Sequence, residues 1–445
     1  MKCDVLIVYE HRAREIENAC LLALELEKRG YTTQIRYISS LKKYFIKAKV
    51  VITPHLYNNS QIYILAKNFW RSHRNLISLQ YEQVLNSKPV DVDDIHDPKE
   101  EAIHAQHIAW GEAQKQRYLC HKIAPTHIHV TGHIAMDLMY PEFEAYFKSR
   151  EELAMEFLLD KDKKWITFFS SFSYANKGED YLAAYEKLNP NARAFADLSN
   201  KTQVIFIEWF ERVCSSNPDV ILIYRPHPAE KICQDFKNIE QKYPNFRIIK
   251  DYTVRQWIKS SDLLYTWYST SLADTYFAKK KCQILRPLPI PTHLEVDLLK
   301  GCKPITTYED FKDSLSSSTD EINYDLNKLA YYYGDFQNSR AYPKIADLCE
   351  EMMKDSMEYD YTCYGSRWNI SNNTGIKNIL TTYICHMLCD IYEKTNLSKH
   401  LLRKFSNSSS LLLFEKECYC IRKEIADIKA RLKPVIDKIH DTKQL

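Results

Sequence analysis

No stretch of the 445-residue chain approaches the ~18 consecutive apolar residues that a membrane-spanning helix needs. The start does not read as a secretory leader either. Met1-Lys2-Cys3-Asp4 runs straight into Val5–Val8, an apolar run too short for a signal core. Charge of one sign is also missing: 61 basic and 58 acidic residues leave a net charge of +3, which gives no reason to expect a nucleic acid as partner. The cysteines lack disulfide-scaffold spacing and fit a reducing cytoplasm. Cys385/Cys389 and Cys418/Cys420 have no second pair at zinc spacing, so no metal is expected. Glycine is scarce, at 8 residues against 31 tyrosines, which reads as a bias of composition rather than a sign of function.

What the chain does contain is a rhythm of short apolar runs and amphipathic stretches. At this length two domains and a terminal extension are expected. Val5–Val8, Thr33–Tyr37, Val50–Thr53, Leu76–Leu79, His107–Ala109 and Ile128–Thr131 read as strands of a first domain, 1–140. Residues 141–163 have helical spacing without Gly or Ser runs and read as an ordered connection. Trp165–Phe169, Val220–Tyr224, Phe246–Ile249, Leu263–Thr266 and Cys282–Leu285 make a second strand series in 164–306, with a helix over Gln203–Cys214 and an insertion or short helices in 174–200. Residues 307–445 lose the strand rhythm and read as helical, with segments at Leu380–Tyr392 and Leu411–Ile439 flanking the polar stretch Asn396–Ser410. Strands alternating with helices imply parallel sheets covered on both faces, whose ligands sit beyond the carboxyl ends of the strands.

The residues just after each run are therefore the candidates. In the second domain, Tyr224-Arg225-Pro226-His227-Pro228 with Glu230 follows one strand, and Thr266 leads to Ser269-Thr270-Ser271 after another. Ser170 and Ser171 give a third hydroxyl-rich turn. Helix starts present unpaired N–H groups and a partial positive charge. With hydroxyls and the Arg225/His227 pair, these turns read as a phosphate cradle that needs no metal. Two plainer readings stand beside it: His227 as a turn residue shaped by its prolines, and Ser269–Ser271 as helix caps. In the first domain, Glu10, Arg14 and Glu15 follow the first run and Glu82 the fourth. A carboxylate there suits a general base. Six histidines between His104 and His133 crowd one region without one ligand set's spacing, and read as packing and surface residues.

Taken together, Arg14-Glu15, Ala109-Trp110-Gly111-Glu112 with Gln114, Val130-Thr131-Gly132 with Asp137, the Arg225–Glu230 stretch, and Asp262 with Ser269–Ser271 resemble bacterial surface-carbohydrate biosynthesis proteins. That group is similar to capsular Kdo transferases, bacterial sialyltransferases and CDP-glycerol glycerophosphotransferases. The resemblance spans roughly residues 1–300 and implies an α/β fold of GT-B type. It would consist of two Rossmann-like domains facing a cleft, with a helical C-terminal extension. It also implies that His227, Ser269, Thr270 and Ser271 bind the donor's nucleotide phosphate, with Gly111, Glu112 and Gly132 on the acceptor or cleft side. Sialyltransferases of this kind carry an acidic pair before glycine; here that place reads Tyr81-Glu82-Gln83-Val84, with one acid and no glycine. Glu82 and the pair Arg14/Glu15 both stay as candidates for the chemistry.

The expectation is a cytoplasmic glycosyltransferase that moves a sugar from a nucleotide-activated donor to a growing surface glycan. A CMP-linked acid sugar such as Kdo is favoured, its carboxylate facing Arg225 or Arg286. A CDP-glycerol or CDP-ribitol transferase and a nucleotide-sugar epimerase keep the same fold; a non-catalytic glycan-assembly partner is the reading from another class. Expected partners are the nucleotide sugar and a glycan or lipid-linked acceptor, with no cofactor. Peripheral contact with the inner face of the membrane is left open. Basic residues Arg422, Lys423, Lys429, Arg431, Lys433 and Lys438 on the last helix suit either such a contact or a solvated face on a helix packed at home.

Overall fold

β-Branched and aromatic runs of three to eight residues build two sheets in which every strand pair is parallel. The computed structural model describes residues 1–38, 40–66, 75–84, 96–187, 190–228, 230–316, 325–334, 339–354, 420 and 422–443. The first sheet contains β1 (Lys2–Tyr9), β2 (Thr33–Tyr37), β3 (Lys47–Thr53), β4 (Leu76–Ser78), β5 (Gln106–Ala109) and β6 (Ile128–Val130), in the order β2-β1-β3-β4-β5-β6. The second contains β7 (Lys164–Phe169), β8 (Val220–Arg225), β9 (Phe246–Ile248), β10 (Leu263–Thr266) and β11 (Cys282–Ile284), in the order β11-β10-β7-β8-β9. Burial of the inner strands on both faces explains their continuous apolar stretches, as in Val5–Tyr9, Val50–Ile52 and Val220–Tyr224, whereas β2 alternates and buries Ile35 and Tyr37.

These orders decide where ligands can sit. Chain connections leave β1 and β3 in opposite directions, and likewise β7 and β10. Each sheet thus has a crevice beyond the carboxyl ends of one adjacent pair, the switch point at which such sheets bind ligands. In the first sheet that crevice lies after Tyr9 and Thr53; in the second, after Phe169 and Thr266.

The chain divides into two compact units. One holds Met1–Gln83, Pro89–Leu138 and Ala330–Leu445; the other holds Val84–Lys88 and Met139–Leu329. The stretch after the second sheet is therefore shared: helix Tyr308–Ser314 stays with the second unit, while Ala341–Lys354 and Arg422–Lys443 belong to the first. In 141–163 the helical spacing resolves into a short turn at Pro141–Tyr146 and helix Arg150–Phe157, which starts with a Ser149/Glu152 capping box. The helix expected over Gln203–Cys214 is longer and begins at Ala192. Ala192, Phe195, Ala196 and Ser199 continue its buried stripe at helical spacing, a signal that the polar residues between them hid. Leu380–Tyr392, Asn396–Ser410 and the cysteines Cys385, Cys389 and Cys418 lie outside the described residues.

Close backbone contact docks the returning segment on the first sheet. A β-carbon at Gly111 would stand 2.5 Å from the Tyr331 carbonyl oxygen and 2.8 Å from the Gly334 nitrogen. Trp110 stacks on His133 at 3.6 Å and on Tyr333 at 5.5 Å. The buried Asp137 carboxylate accepts from the backbone N–H groups of Ala341 (3.0 Å) and Tyr342 (2.7 Å), the first two residues of helix Ala341–Lys354. The last helix buries Leu432, Val435 and Ile436 and pairs Lys429 with Glu27, Asp437 with Lys28 and His440 with Glu25 of helix Arg12–Lys28. Arg422, Lys423, Lys433 and Lys438 remain exposed. Among the described residues no helix is long and apolar enough to cross a membrane.

Candidate functional site

At the first switch point, polar side chains gather after β1, β3 and β4. Helix Arg12–Lys28 starts immediately after β1, and its Glu15 turns back so that Oε2 accepts the N–H groups of Glu10 (2.6 Å) and His11 (3.1 Å). Glu15 is only 1% exposed; burial pushes its carboxyl up to about 7 against the opposing pull of Arg14 and these two donors. Glu15 is thus a brace for the strand end and out of a substrate's reach. Arg14 forms a close ion pair with Glu82, both side chains being partly exposed. Glu10 points to His55, with Nδ1 and Oε2 at 3.5 Å. His55 stacks on Tyr57 at 4.8 Å, and the Tyr57 hydroxyl donates to Gln80 Oε1 at 2.9 Å. Burial and the Arg14 charge hold the His55 imidazolium down to about 4; burial raises Glu10 and Tyr57.

Of the expected residues, Glu10, Arg14, Glu15 and Glu82 do assemble. His55 and Tyr57 complete the group and were not anticipated, although His55 stands two residues beyond β3, where the strand-end rule directs attention. Gly111, Glu112 and Gly132, expected on the acceptor side, are engaged in contacts of the fold. Gly111 accommodates the Tyr331–Gly334 backbone, and Gly132 takes φ +91 before His133 joins the Trp110 stack. Glu112 bonds Lys115 and Gln116 on its own helix. The histidine cluster serves packing: His107 bonds the Ala102 carbonyl and His129 the Gln106 amide. Among the described residues no group of three or more His, Cys, Asp or Glu is arranged to hold a metal.

Glu15 also makes stability depend on pH. Its folded value lies above the ordinary 4.5, so its contribution is complete below that pH and is lost as pH rises through about 7. At full ionisation the loss is at most about 3 kcal/mol. The melting temperature is expected to fall between pH 5 and pH 8, and to fall less in Glu15→Gln, whose neutral amide still accepts both N–H groups. Equal pH slopes for the two proteins would refute the assignment.

In the second unit, β8 ends at Arg225 and the chain turns through Pro226-His227-Pro228. Beneath the turn lies a buried network. The Tyr224 hydroxyl donates to Glu230 Oε1 (2.5 Å) and touches Ser170 Oγ (2.9 Å). Ser170 donates to Glu230 Oε2, which also accepts the His227 N–H at 3.1 Å. Burial raises the Glu230 carboxyl. Glu230 and Ser170 were expected to meet the donor; they are instead the support that fixes the turn, and His227 is the exposed residue it presents. Arg225, expected at the donor, is used inside the fold as well. Its buried guanidinium donates to the carbonyls of Ile249 (3.2 Å) and Tyr252, tying β8 to the loop after β9. Arg286 is likewise committed, in a bidentate pair with Glu295 at 2.6 and 3.1 Å.

At the second switch point, Ser171 is buried after β7, and the buried Thr266 spends its hydroxyl on the Phe169 carbonyl. Ser269 Oγ accepts the Ser271 N–H at 3.2 Å and lies 3.0 Å from Ser271 Oγ. Thr270 precedes helix Ser271–Phe277 without capping it by its side chain, and is exposed. Thr270 with Ser269 and Ser271 therefore forms an accessible hydroxyl turn, whereas Thr266 is structural.

Two parallel α/β domains with these strand orders define the GT-B fold class. Among solved structures, the wall teichoic acid polymerase TagF is similar over 80% of this chain and 90% of that one, with a TM-score of 0.53 and 13% identity. UDP-GlcNAc 2-epimerases from Methanocaldococcus jannaschii (TM-score 0.47, 13% identity, 79% of this chain and 100% of that) and Neisseria meningitidis (0.44, 12%, 80% and 99%) are also similar. No protein-family model and no curated protein matches the chain.

Proposed function

We propose that the protein transfers a group from a nucleotide-activated donor to a surface-glycan acceptor. The donor's phosphate is held by the second unit and the acceptor is activated by the first. The observation that carries this reading is the His227 turn, braced from below by Glu230 at the end of β8; the open hydroxyl turn Ser269–Ser271 follows β10 of the same sheet. A buried carboxylate spent on holding a turn that exposes an imidazole makes sense when the imidazole meets an anion.

A polyol-phosphate transferase using a CDP-linked donor deserves equal standing with the sugar transferase. Arg225 and Arg286, the cations expected to face an acid sugar's carboxylate, are both committed within the fold. That leaves neither guanidinium to face an acid sugar's carboxylate and has no bearing on donors without one. The exposed cations of the last helix are what would support peripheral contact with an anionic membrane face.

Thermal unfolding with CMP, CDP, UDP and GDP tests the reading. One cytidine nucleotide at 100 times its Kd is expected to stabilise the fold by about 2.7 kcal/mol. No shift with any of the four overturns the proposal.

A further inference from the structure

The geometry points to His55 and Glu10 as the general-base pair of the transfer proposed above, on which this inference rests: His55 takes the acceptor's proton and Glu10 orients the ring. Both residues stand just beyond β1 and β3, adjacent parallel strands on either side of the first switch point. Their side chains are 16% and 19% exposed, enough for a substrate hydroxyl to reach and too little for solvent to dominate. The Nδ1–Oε2 separation of 3.5 Å is long for a formed hydrogen bond, as is common at a catalytic pair before substrate tightens it. Because Nδ1 faces the carboxylate, Nε2 is left as the basic nitrogen.

The surroundings favour this pair over the other acids. Glu82 carries the Arg14 guanidinium, so protonating it would dismantle an ion pair; Glu15 is buried and occupied by two N–H groups. The ring plane of His55 is set by Tyr57, stacked at an interplanar angle of 16°. Tyr57 in turn is held by Gln80 and by the edge of His96 at 5.5 Å. Glu10 is placed by Glu15 through the backbone. The charged or titratable groups around the pair are Arg14, Glu15, Glu82, His96 and Tyr57. Burial and, after it, the Arg14 charge keep the resting ring neutral, as a base must be, and Glu10 offsets the imidazolium charge once the proton has arrived.

In the step itself, the acceptor oxygen bonds to the donor's electrophilic carbon, or to its phosphorus in the polyol-phosphate case, while its proton passes to His55 Nε2. The bond from that centre to the nucleotide's leaving phosphate oxygen breaks, and the electron pair leaves with that oxygen. The imidazolium then returns its proton to solvent or to the departing phosphate.

Two measurements test the pair. Long-range nitrogen–proton spectra at pH 7 are expected to show His55 neutral and protonated on Nδ1, reverting to the Nε2-protonated form in Glu10→Ala. An Nε2-protonated ring in the parent protein, or no change in the variant, overturns the dyad without any substrate. Turnover is then followed as nucleotide release from CMP-, CDP-, UDP- and GDP-linked donors. His55→Ala is expected to lose about 100-fold or more of kcat, to keep the nucleotide-induced thermal shift, and to regain activity with added imidazole. A shift and turnover in the parent with undiminished turnover in His55→Ala sinks the dyad and spares the transferase reading. Absence of any nucleotide shift in the parent sinks that reading, and the spectra still decide the pairing.

Discussion

Gly111→Ala is expected to destabilise the first unit by about 3 kcal/mol or more, because the added methyl meets backbone and not a movable side chain. The β-carbon would lie 2.5 Å from Tyr331 O, 2.7 Å from Tyr332 C and 2.8 Å from Gly334 N. None of these can rotate away. Gly334, at φ +70, is packed as closely from its own side: a β-carbon there would stand 2.8 Å from the Trp110 carbonyl oxygen. Relief requires the Tyr331–Gly334 backbone to lift, and that would unstack Tyr333 from Trp110 and strain the contact of Asp137 with the start of helix Ala341–Lys354. Urea unfolding should show the loss, and limited proteolysis should cut near residues 330–340 in the variant before the parent. Gly178→Ala is the control: open space surrounds that position, and its change should stay within about 0.5 kcal/mol. Equal stability of the two variants would mean that the docking contact is not what holds the returning segment.

The inner strands were readable from the chain because each carries a short apolar run buried on both faces, and β2 because Ile35 and Tyr37 alternate with polar residues, patterns carried by neighbouring residues. The expected Thr33–Tyr37 and Leu263–Thr266 coincide with β2 and β10. The expectation that chemistry sits just past such runs led to Glu10, Arg14, Glu15 and Glu82, which do come together. It also covers His55, two residues past β3, but the sequence does not show which strand end that residue faces. Its significance comes from β1 and β3 being neighbours, and that adjacency belongs to strand order. The same distinction explains Gly111, Gly132 and Asp137. Their partners lie about two hundred residues downstream, in a segment whose return to the first sheet leaves no mark near the motifs. Arg225 and Glu230 misled for a third reason. Charged residues at a strand end suggest a ligand, but a charge can equally be consumed by backbone carbonyls or by a buried network, and only burial distinguishes the two.

Glu230→Ala should both destabilise the second unit and abolish its response to nucleotide, and the comparison with His227→Ala separates the two effects. Glu230 is 4% exposed and accepts from Tyr224, Ser170 and the His227 N–H. After truncation the two hydroxyls, 2.9 Å apart, can bond one another. The His227 N–H and one hydroxyl hydrogen then lose their acceptor, in a space too tight for free repacking beneath Phe236 and Phe168. The expected cost is about 3 kcal/mol, from the orphaned donors and the cavity together. Glu230→Gln retains one acceptor oxygen and should lose about half as much. His227→Ala removes an exposed ring and leaves Glu230 and its partners intact, so stability should change by no more than about 0.5 kcal/mol. If His227 meets the nucleotide's phosphate, this variant alone keeps full stability while its thermal shift with nucleotide disappears. Glu230→Ala should lose the shift as well, because a turn without its brace no longer presents the imidazole in one place. A Glu230→Ala protein that is destabilised as expected but still responds fully to nucleotide would show that the brace serves folding alone, and that the phosphate is bound by the Ser269–Ser271 turn without the help of His227.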